Sequence, residues 1–456
     1  MLQRVPPDPA ARRPLRPAGP RRRPPLEPLW LFAVGFAVRA AYTLLANGRS
    51  PVPYADSADY DTLAWNLARG VGFALNGAAG PHPTAFRPPL VPWLTSLVYR
   101  GVGHDFFAAL LLQCAIGALI APVLAGYARA TFGGGVARWA GWLAALCPPL
   151  VFFSGYLLTE TTFALLLLIA LHLSAEWVKT PRPARALGAG LVWGIAALAR
   201  PTSLPLPLLV ALWAWFPLGL TVTRRDRLRQ VALLFAGVAL AVGPWTIRNA
   251  IELKAFVPVT TGGGRALFDA NNPRIWDDPA RLGGAESLYH VEPWASRYRG
   301  LSEVGADRLS GRLAKQFLRE RVAQWPAAAA AKLARFWRLT REGGSTGTWS
   351  RADSPLGRLL AMADPLLLWS LFAFPLALAG LVVTLLGGKR LFLSLPAVTI
   401  AFFTALAVVY WGALRMRVPV EPLIALYAAA GADALARRLR RGRRSFTVIE
   451  GRGSAA

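Results

Sequence analysis

Ten apolar runs, at about 28–47, 106–128, 139–158, 161–178, 186–199, 203–222, 231–248, 365–387, 391–412 and 418–436, constrain this chain more than any other feature of its sequence. Roughly 20 apolar residues in a helix cross the ~30 Å hydrocarbon core of a bilayer. Nine runs reach or approach that length, and 186–199 is shorter. A backbone in lipid must satisfy its own N–H and C=O groups, which a helix does. The expected fold is therefore an all-α polytopic membrane protein with about ten transmembrane helices, seven before a long polar segment and three after it. With 54% hydrophobic and only 16% charged residues over 456 positions, a soluble domain of this length is disfavoured.

The formal charge of +27 raises the question of nucleic acid. Its placement argues against that partner, because the basic residues gather at the termini and in short connections between apolar runs. Arg129 and Arg138, then Lys179, Arg182 and Arg185, then Arg224, Arg225, Arg227 and Arg229, then Lys389 and Arg390 fall on one side of the alternating runs. By the positive-inside rule that side is cytoplasmic, facing anionic lipid, and both termini lie there. The expected location is the bacterial inner membrane. Cys114 and Cys147 sit within apolar runs and read as packed thiols rather than a disulfide framework. The run near residue 28 lacks a small-residue cleavage pattern, so it reads as an uncleaved anchor.

These signs divide the chain into a disordered basic tail (1–27), a transmembrane module (28–248) with a large first outer loop (48–105), an extracytoplasmic segment (249–360), three C-terminal membrane helices (361–436) and a basic tail (437–456). Pro88 to Gly103 is apolar but short and rich in proline, and counting it as a crossing would put the arginine clusters outside. It reads as a re-entrant or interfacial segment. Tyr60, Leu63, Ala64 and Leu67 repeat at helical spacing, predicting an interfacial helix near 57–69 that Gly70 ends. In the second outer segment, loop-like sequence to about 298 precedes amphipathic helices near 302–324 and 326–341.

Acid, aromatic and arginine side chains are concentrated between Asp56 and Leu94, a mixture suited to an anionic lipid substrate. Asp56 and Asp59 fit helix capping, and Asp56 also fits a general base on the outer face. Glu160 fits an N-terminal dipole partner or a second acid beside Asp56. Arg87, Arg200, Arg248, Arg415 and Arg417 all fall outside, against the charge bias. One such arginine reads as a snorkelling anchor, but five at the mouths of spans suit phosphate recognition. Thr261–Arg265, reading T-G-G-G-R, looks like a backbone cradle for phosphate, but without a preceding strand and a following helix it reads first as a flexible loop. Asp59, Tyr60 and Asn271 are further candidates for contacting substrate. His82, His104, His172 and His290 show no ligand spacing, so no metal site is assigned from them.

Six ordered blocks, D-S-A-D-Y-D-T-L-A (56–64), F-R-P-P-L-V-P-W-L (86–94), L-L-T-E-T-T-F (157–163), G-I-A-A-L-A-R-P-T (194–202), P-W-T-I-R-N (244–249) and R-M-R-V-P-V-E-P (415–422), resemble the bacterial members of the dolichyl-phosphate-mannose–protein mannosyltransferase family. That family falls in the class C glycosyltransferase superfamily, with the lipid A aminoarabinose transferases. The resemblance implies a seven-span module followed by an extracytoplasmic segment and a variable set of helices, with a sugar on a polyprenyl phosphate as donor. It places the key acid at Asp56, the second at Glu160, and basic contacts to donor phosphate at Arg87 and Arg417, with Arg248 a further candidate. Ser57 and Phe86 depart from the aminoarabinose branch, which carries carboxylates there.

The expected function is transfer of a sugar from a polyprenyl-phosphate donor to a hydroxyl of an acceptor lipid, glycan or protein, with inversion and without a required cofactor. A divalent cation held by two acids stays open. A lipid or polysaccharide transporter or flippase, and a polymerase or ligase acting on a lipid-linked oligosaccharide, are the rival functions. The sequence carries no repeat symmetry of the kind many transporters show.

Overall fold

The computed structural model describes residues 26–48, 56–78, 80–339, 364–387 and 390–453. The N-terminal tail to residue 25, part of the first loop (49–55), the stretch 340–363, Lys389 and the last three residues, each touched by an expectation above, lie outside the described residues. Seven described helices are long and apolar enough to cross a membrane. They are α1 (Glu27–Asn47), α4 (Phe106–Thr131), α7 (Thr159–Lys179), α9 (Leu206–Gly219) with the turn before it, α10 (Arg224–Leu253), α16 (Pro365–Leu386) and α19 (Glu421–Gly453) with the short α18 (Leu414–Arg417) leading into it. A bent pair, α5 (Gly134–Leu146) and α6 (Pro148–Ser154), and two shorter apolar helices, α8 (Pro183–Ala199) and α17 (Arg390–Val409), account for the other three runs. The chain is a multi-pass membrane protein.

Between α1 and α4 lie α2 (Asp56–Ala68), a hairpin of β1 (Ala74–Gly77) and β2 (Gly80–Pro83), and α3 (Leu90–Val102). α2 matches the amphipathic spacing, burying Tyr60, Leu63 and Ala64, and stops where Gly70 turns to φ +78°. α3 is a single helix of 13 residues, about 20 Å long, and so too short to cross the core. It packs on α2 and exposes Trp93, Leu97 and Val102.

The segment after α10 is more helical than its sequence suggests. Short helices α11 (Gly263–Ala270), α12 (Pro273–Trp276) and α13 (Trp294–Tyr298) occupy the stretch read as loop, ahead of α14 (Glu303–Glu320) and α15 (Trp325–Phe336). Local capping explains the difference. Asp307 Oδ1 accepts hydrogen bonds from the Gly264 and Arg265 N–H groups at 2.8 and 3.0 Å, and Asn272 Oδ1 accepts from Ile275 N at 3.1 Å. The glycine-rich stretch therefore opens a helix whose N-terminus already holds a carboxylate from within the protein.

Two features of the membrane core follow from side-chain chemistry. Where α16 crosses α19, Gly380 and Gly431 let the backbones touch: a Cβ on Gly380 would stand 1.9 Å from Tyr427 O, and one on Gly431 2.2 Å from Leu376 O. Close approach through small residues replaces the hydrophobic drive that lipid removes. The second is the break between α5 and α6. Pro148 and Pro149 lack the N–H groups that would have bonded the Ala144 and Ala145 carbonyls four residues earlier. Arg39, fully buried on α1, donates to both, at 3.2 and 2.8 Å. A guanidinium thus caps a broken helix inside the membrane, where an orphaned carbonyl has no water to turn to.

Replacing Arg39 with Leu leaves two buried acceptors unpaired, each costing about 1–3 kcal/mol. The Arg39→Leu protein is expected to melt at lower temperature in detergent, with Arg39→Lys intermediate. An unchanged melting temperature for Arg39→Leu would show that the proline break needs no cap.

Candidate active site

Three carboxylates and three guanidiniums meet at one end of the helix bundle. Asp56 and Asp59 stand in the first turn of α2, and Arg87 in the turn before α3. Glu160 opens α7, Arg200 ends α8, and Arg415 lies on α18. Arg87 donates to Asp56 Oδ1 at 2.5 Å and to Asp59 Oδ2 at 2.8 and 3.0 Å. Arg415 donates through Nη1 to Asp56 Oδ2 and through Nε to Glu160 Oε1. Arg200 reaches the same Glu160 oxygen at 2.8 Å. The result is a continuous ladder, Asp59–Arg87–Asp56–Arg415–Glu160–Arg200, with no net formal charge.

The ladder runs from open to closed. Asp59 and Asp56 have side chains 34% and 29% exposed, whereas Glu160 is at 0%. A lone buried carboxylate is costly, and two guanidiniums on one oxygen make Glu160 tolerable. Its second oxygen has no partner among the described residues. Asp56 spends both oxygens on arginines rather than on the N–H groups of its helix, so capping does not account for it. Burial pushes its carboxyl upward, but Arg415 and Arg87 more than offset this and hold it well below the usual carboxylate range. Tyr60, 2% exposed, lies beneath Arg87, whose guanidinium is 5.6 Å from the ring centroid.

The other candidates sit elsewhere. Arg417 is fully buried, bonded to Glu421 Oε1 at 2.6 Å, Phe336 O and Ser370 Oγ at 3.1 Å, and is not in the ladder. Arg248 donates to the Thr84 and Phe73 carbonyls at 2.7 and 2.9 Å and so holds the first loop. Asn271 is also buried, donating to the Leu267 and Val409 carbonyls and accepting from Lys332 Nζ at 2.8 Å. Burial, with no carboxylate to offset it, lowers Lys332 to about 8. Among the described residues no group of three or more His, Cys, Asp or Glu is arranged to hold a metal ion. Both cysteines are free and buried.

Three residues approach the site from the segment after α10, and of these only Arg265 stood in a stretch singled out from the sequence. Arg265 lies 4.8 Å from the Phe86 ring centroid and 3.7 Å from that of Tyr289, while Arg87 lies 4.5 Å from Phe86. Asp269 follows Arg265 by one helical turn on α11. Burial raises its carboxyl to about 7, Arg265 opposing and Asp56 adding to the shift, and its Oδ1 has no partner among the described residues. Glu303, at the start of α14, bonds the first loop through Thr84 and Ala85. A cavity of about 730 Å3 lies between the two loops, lined by Asp59, Phe86, Thr261, Arg265, Glu303 and Asp307 among others. Scattered charges in a polar segment carry no periodic signal that would have marked Asp269 or Glu303.

The sequence model for the family described as dolichyl-phosphate-mannose-protein mannosyltransferase matches residues 86–247 of this chain. That range carries Arg87, Glu160 and Arg200. No curated protein matches the chain. Among solved structures, the archaeal oligosaccharyltransferase AglB from Archaeoglobus fulgidus, in complex with an inhibitory peptide and a dolichol-phosphate, aligns with a TM-score of 0.53 at 15% identity, over 92% of this chain and 52% of that one. The apo form of the A. fulgidus oligosaccharyltransferase aligns at 0.54 and 15%, over 93% and 52%. ArnT from Cupriavidus metallidurans, bound to undecaprenyl phosphate, aligns over 90% of this chain and 77% of that one at 16% identity, with a TM-score of only 0.43. The chain shares the fold of these oligosaccharyltransferases and spans about half their length. The family resemblance carried by the six sequence blocks agrees with both findings.

Asp269 supplies a pH signature. Its folded pKa, about 7, lies above the unfolded value near 3.8. Its contribution to stability is therefore full below pH ~4 and is lost as pH rises through ~7, because the unfolded state ionises first. The wild type is expected to melt higher at pH 5 than at pH 8, and Asp269→Asn to flatten that difference. An identical pH slope in the two proteins would contradict the assignment.

Proposed function

We propose that this chain is an integral membrane glycosyltransferase that moves a sugar from a polyprenyl-phosphate donor to an acceptor hydroxyl, inverting the anomeric carbon. The observation that carries this reading is the self-neutralised ladder at the end of the bundle, in which every arginine is paired with a carboxylate and Asp56 and Asp59 stay part-exposed beneath the loops. The family match and the fold support the same reading, as does the position of the ladder in five of the six sequence blocks. The proposed setting is the extracytoplasmic face of a bacterial inner membrane, with both termini cytoplasmic. The loop 48–105 and the segment 249–360 would enclose the site there.

The resting ladder is locked, because Asp56 between two guanidiniums is a weak base. A phosphodiester arriving with its own negative charge competes for Arg87 and Arg415. As those guanidiniums turn to phosphate, Asp56 loses the charges that depress it and its proton affinity rises. The acceptor O–H then gives its proton to Asp56 while its oxygen forms the new bond to the anomeric carbon. The bond from that carbon to the phosphate oxygen breaks at the opposite face. The phosphate departs as a monoester with one more negative charge, which the arginines stabilise as it develops. Donor binding thus switches on the base, and water meets a masked Asp56 when no donor is present. Glu160 holds Arg415 and Arg200 in place, and the 730 Å3 cavity beside Asp59 is the proposed approach for the acceptor.

Asp56→Asn, in membranes supplied with labelled polyprenyl-phosphate sugar, is expected to lower transfer by roughly 10²–10⁴ at normal protein level. Transfer near the wild-type rate would remove Asp56 from the base role. Mass spectrometry of lipids from a deletion strain is expected to reveal an accumulated polyprenyl-phosphate sugar. Its absence, with a full complement of glycosylated products, would count against the activity itself.

A further inference from the structure

Glu303 stands at the start of α14, where a carboxylate usually serves the helix dipole. Here it is turned away from its own helix. Its Oε2 accepts from Thr84 Oγ1 at 2.5 Å, and its Oε1 accepts from Ala85 N at 3.0 Å and from Thr261 Oγ1 at 2.6 Å. The groups it binds are joined to one another. Thr261 N donates to Ala85 O at 3.1 Å, and Phe86 N donates to Thr84 Oγ1 at 3.0 Å. Arg248 closes the other side by donating to Thr84 O. Thr84 and Ala85 are both fully buried. With Thr84 N donating to Phe73 O at 3.3 Å, each backbone polar group from Thr84 to the N–H of Phe86 has a named partner.

Arg87 follows directly, and its guanidinium must reach Asp56 and Asp59 while lying over Phe86 and Tyr60. A loop of this kind, without the ladder of a helix or sheet, has no intrinsic reason to hold one conformation. A carboxylate collecting three donors from two segments far apart in sequence supplies that reason.

We infer that Glu303 is a positioning residue for the donor site: through Thr84 and Ala85 it fixes the chain that presents Arg87, so the segment after α10 sets how tightly the donor phosphate is held. The inference rests on the reading that Arg87 meets that phosphate. Glutamine at position 303 keeps one carbonyl oxygen for Ala85 and Thr261, whereas alanine keeps nothing, so the two substitutions rank the effect.

The test is binding of undecaprenyl phosphate, the carrier without its sugar, to the full-length purified protein in lipid nanodiscs. Wild type, Glu303→Ala, Glu303→Gln, Arg87→Ala and the Arg87→Ala/Glu303→Ala double variant are compared. Glu303→Ala is expected to weaken binding about tenfold, Glu303→Gln less, and Arg87→Ala at least as much as Glu303→Ala. In the Arg87→Ala background, loss of Glu303 is expected to add less than about twofold, the non-additivity of residues acting through one another. Independent, multiplying losses would overturn the inference, as would full-strength binding by Glu303→Ala. If Arg87→Ala itself binds normally, the donor-phosphate reading fails first and the inference with it. A Glu303→Gln protein that does not fold would make the contact a prop for the fold and would also overturn the inference.

Discussion

Charge at the edge of a membrane bundle has to be answered by opposite charge, and the structure is organised around how that is done. Glu160 sits at full burial because Arg415 and Arg200 converge on one of its oxygens. Arg415 in turn joins Glu160 to Asp56, and Arg87 joins Asp56 to Asp59. No member can be placed without its neighbours, since each would otherwise be a partly desolvated ion with nothing to offset its lost hydration. The ladder links α2, the turn before α3, α7, the end of α8 and α18. The bundle is thus tied at one end by electrostatics.

The remainder of the molecule serves that closure by different means. The α16–α19 crossing, tight enough that Gly380 touches the Tyr427 carbonyl, fixes the helix that continues from the Arg415 turn. Gly190 and Gly237 play the same part where α8 crosses α10: a Cβ on Gly190 would lie 1.9 Å from Leu234 O. The proline break at α5–α6 redirects the chain just before α7 begins, with Arg39 closing the broken end. On the other side, the segment after α10 clasps the first loop through polar contacts at Thr84, Ala85 and Thr261.

Hydropathy made the ten runs legible because a span must be long and apolar whatever its sequence. The first loop was legible because acids are few in such a chain, 24 in 456 residues, and Asp56, Asp59 and Asp61 cluster there ahead of Arg87; Asp56, Arg87, Glu160, Arg200 and Arg415 do come together. Arg415 and Arg417 show where that reasoning stops. Both looked alike in R-M-R, but two residues on a helix differ by about 200° in direction. One joins the ladder, and the other is sealed against Glu421. Arg39 was hidden for another reason. Its partners are carbonyls freed by prolines more than a hundred positions away, and nothing local to either site announces the match. The T-G-G-G-R stretch was misleading in a third way. Its N–H groups do bind an anion, but the anion is Asp307 of the same chain.

The span of the ladder along the chain also bears on how the protein is made. Arg415 meets Asp56 across 359 positions. At synthesis rates of about 5–20 residues per second, roughly 20–70 s separate the two residues at the ribosome. During that interval Asp56 and Glu160 have only Arg87 and Arg200 to answer them. The nascent chain therefore inserts most of its helices with an unfinished charge balance, completed only as the last membrane helix arrives. A polypeptide interrupted before Arg415 would carry most of the spans and both acids, but no bridge between them.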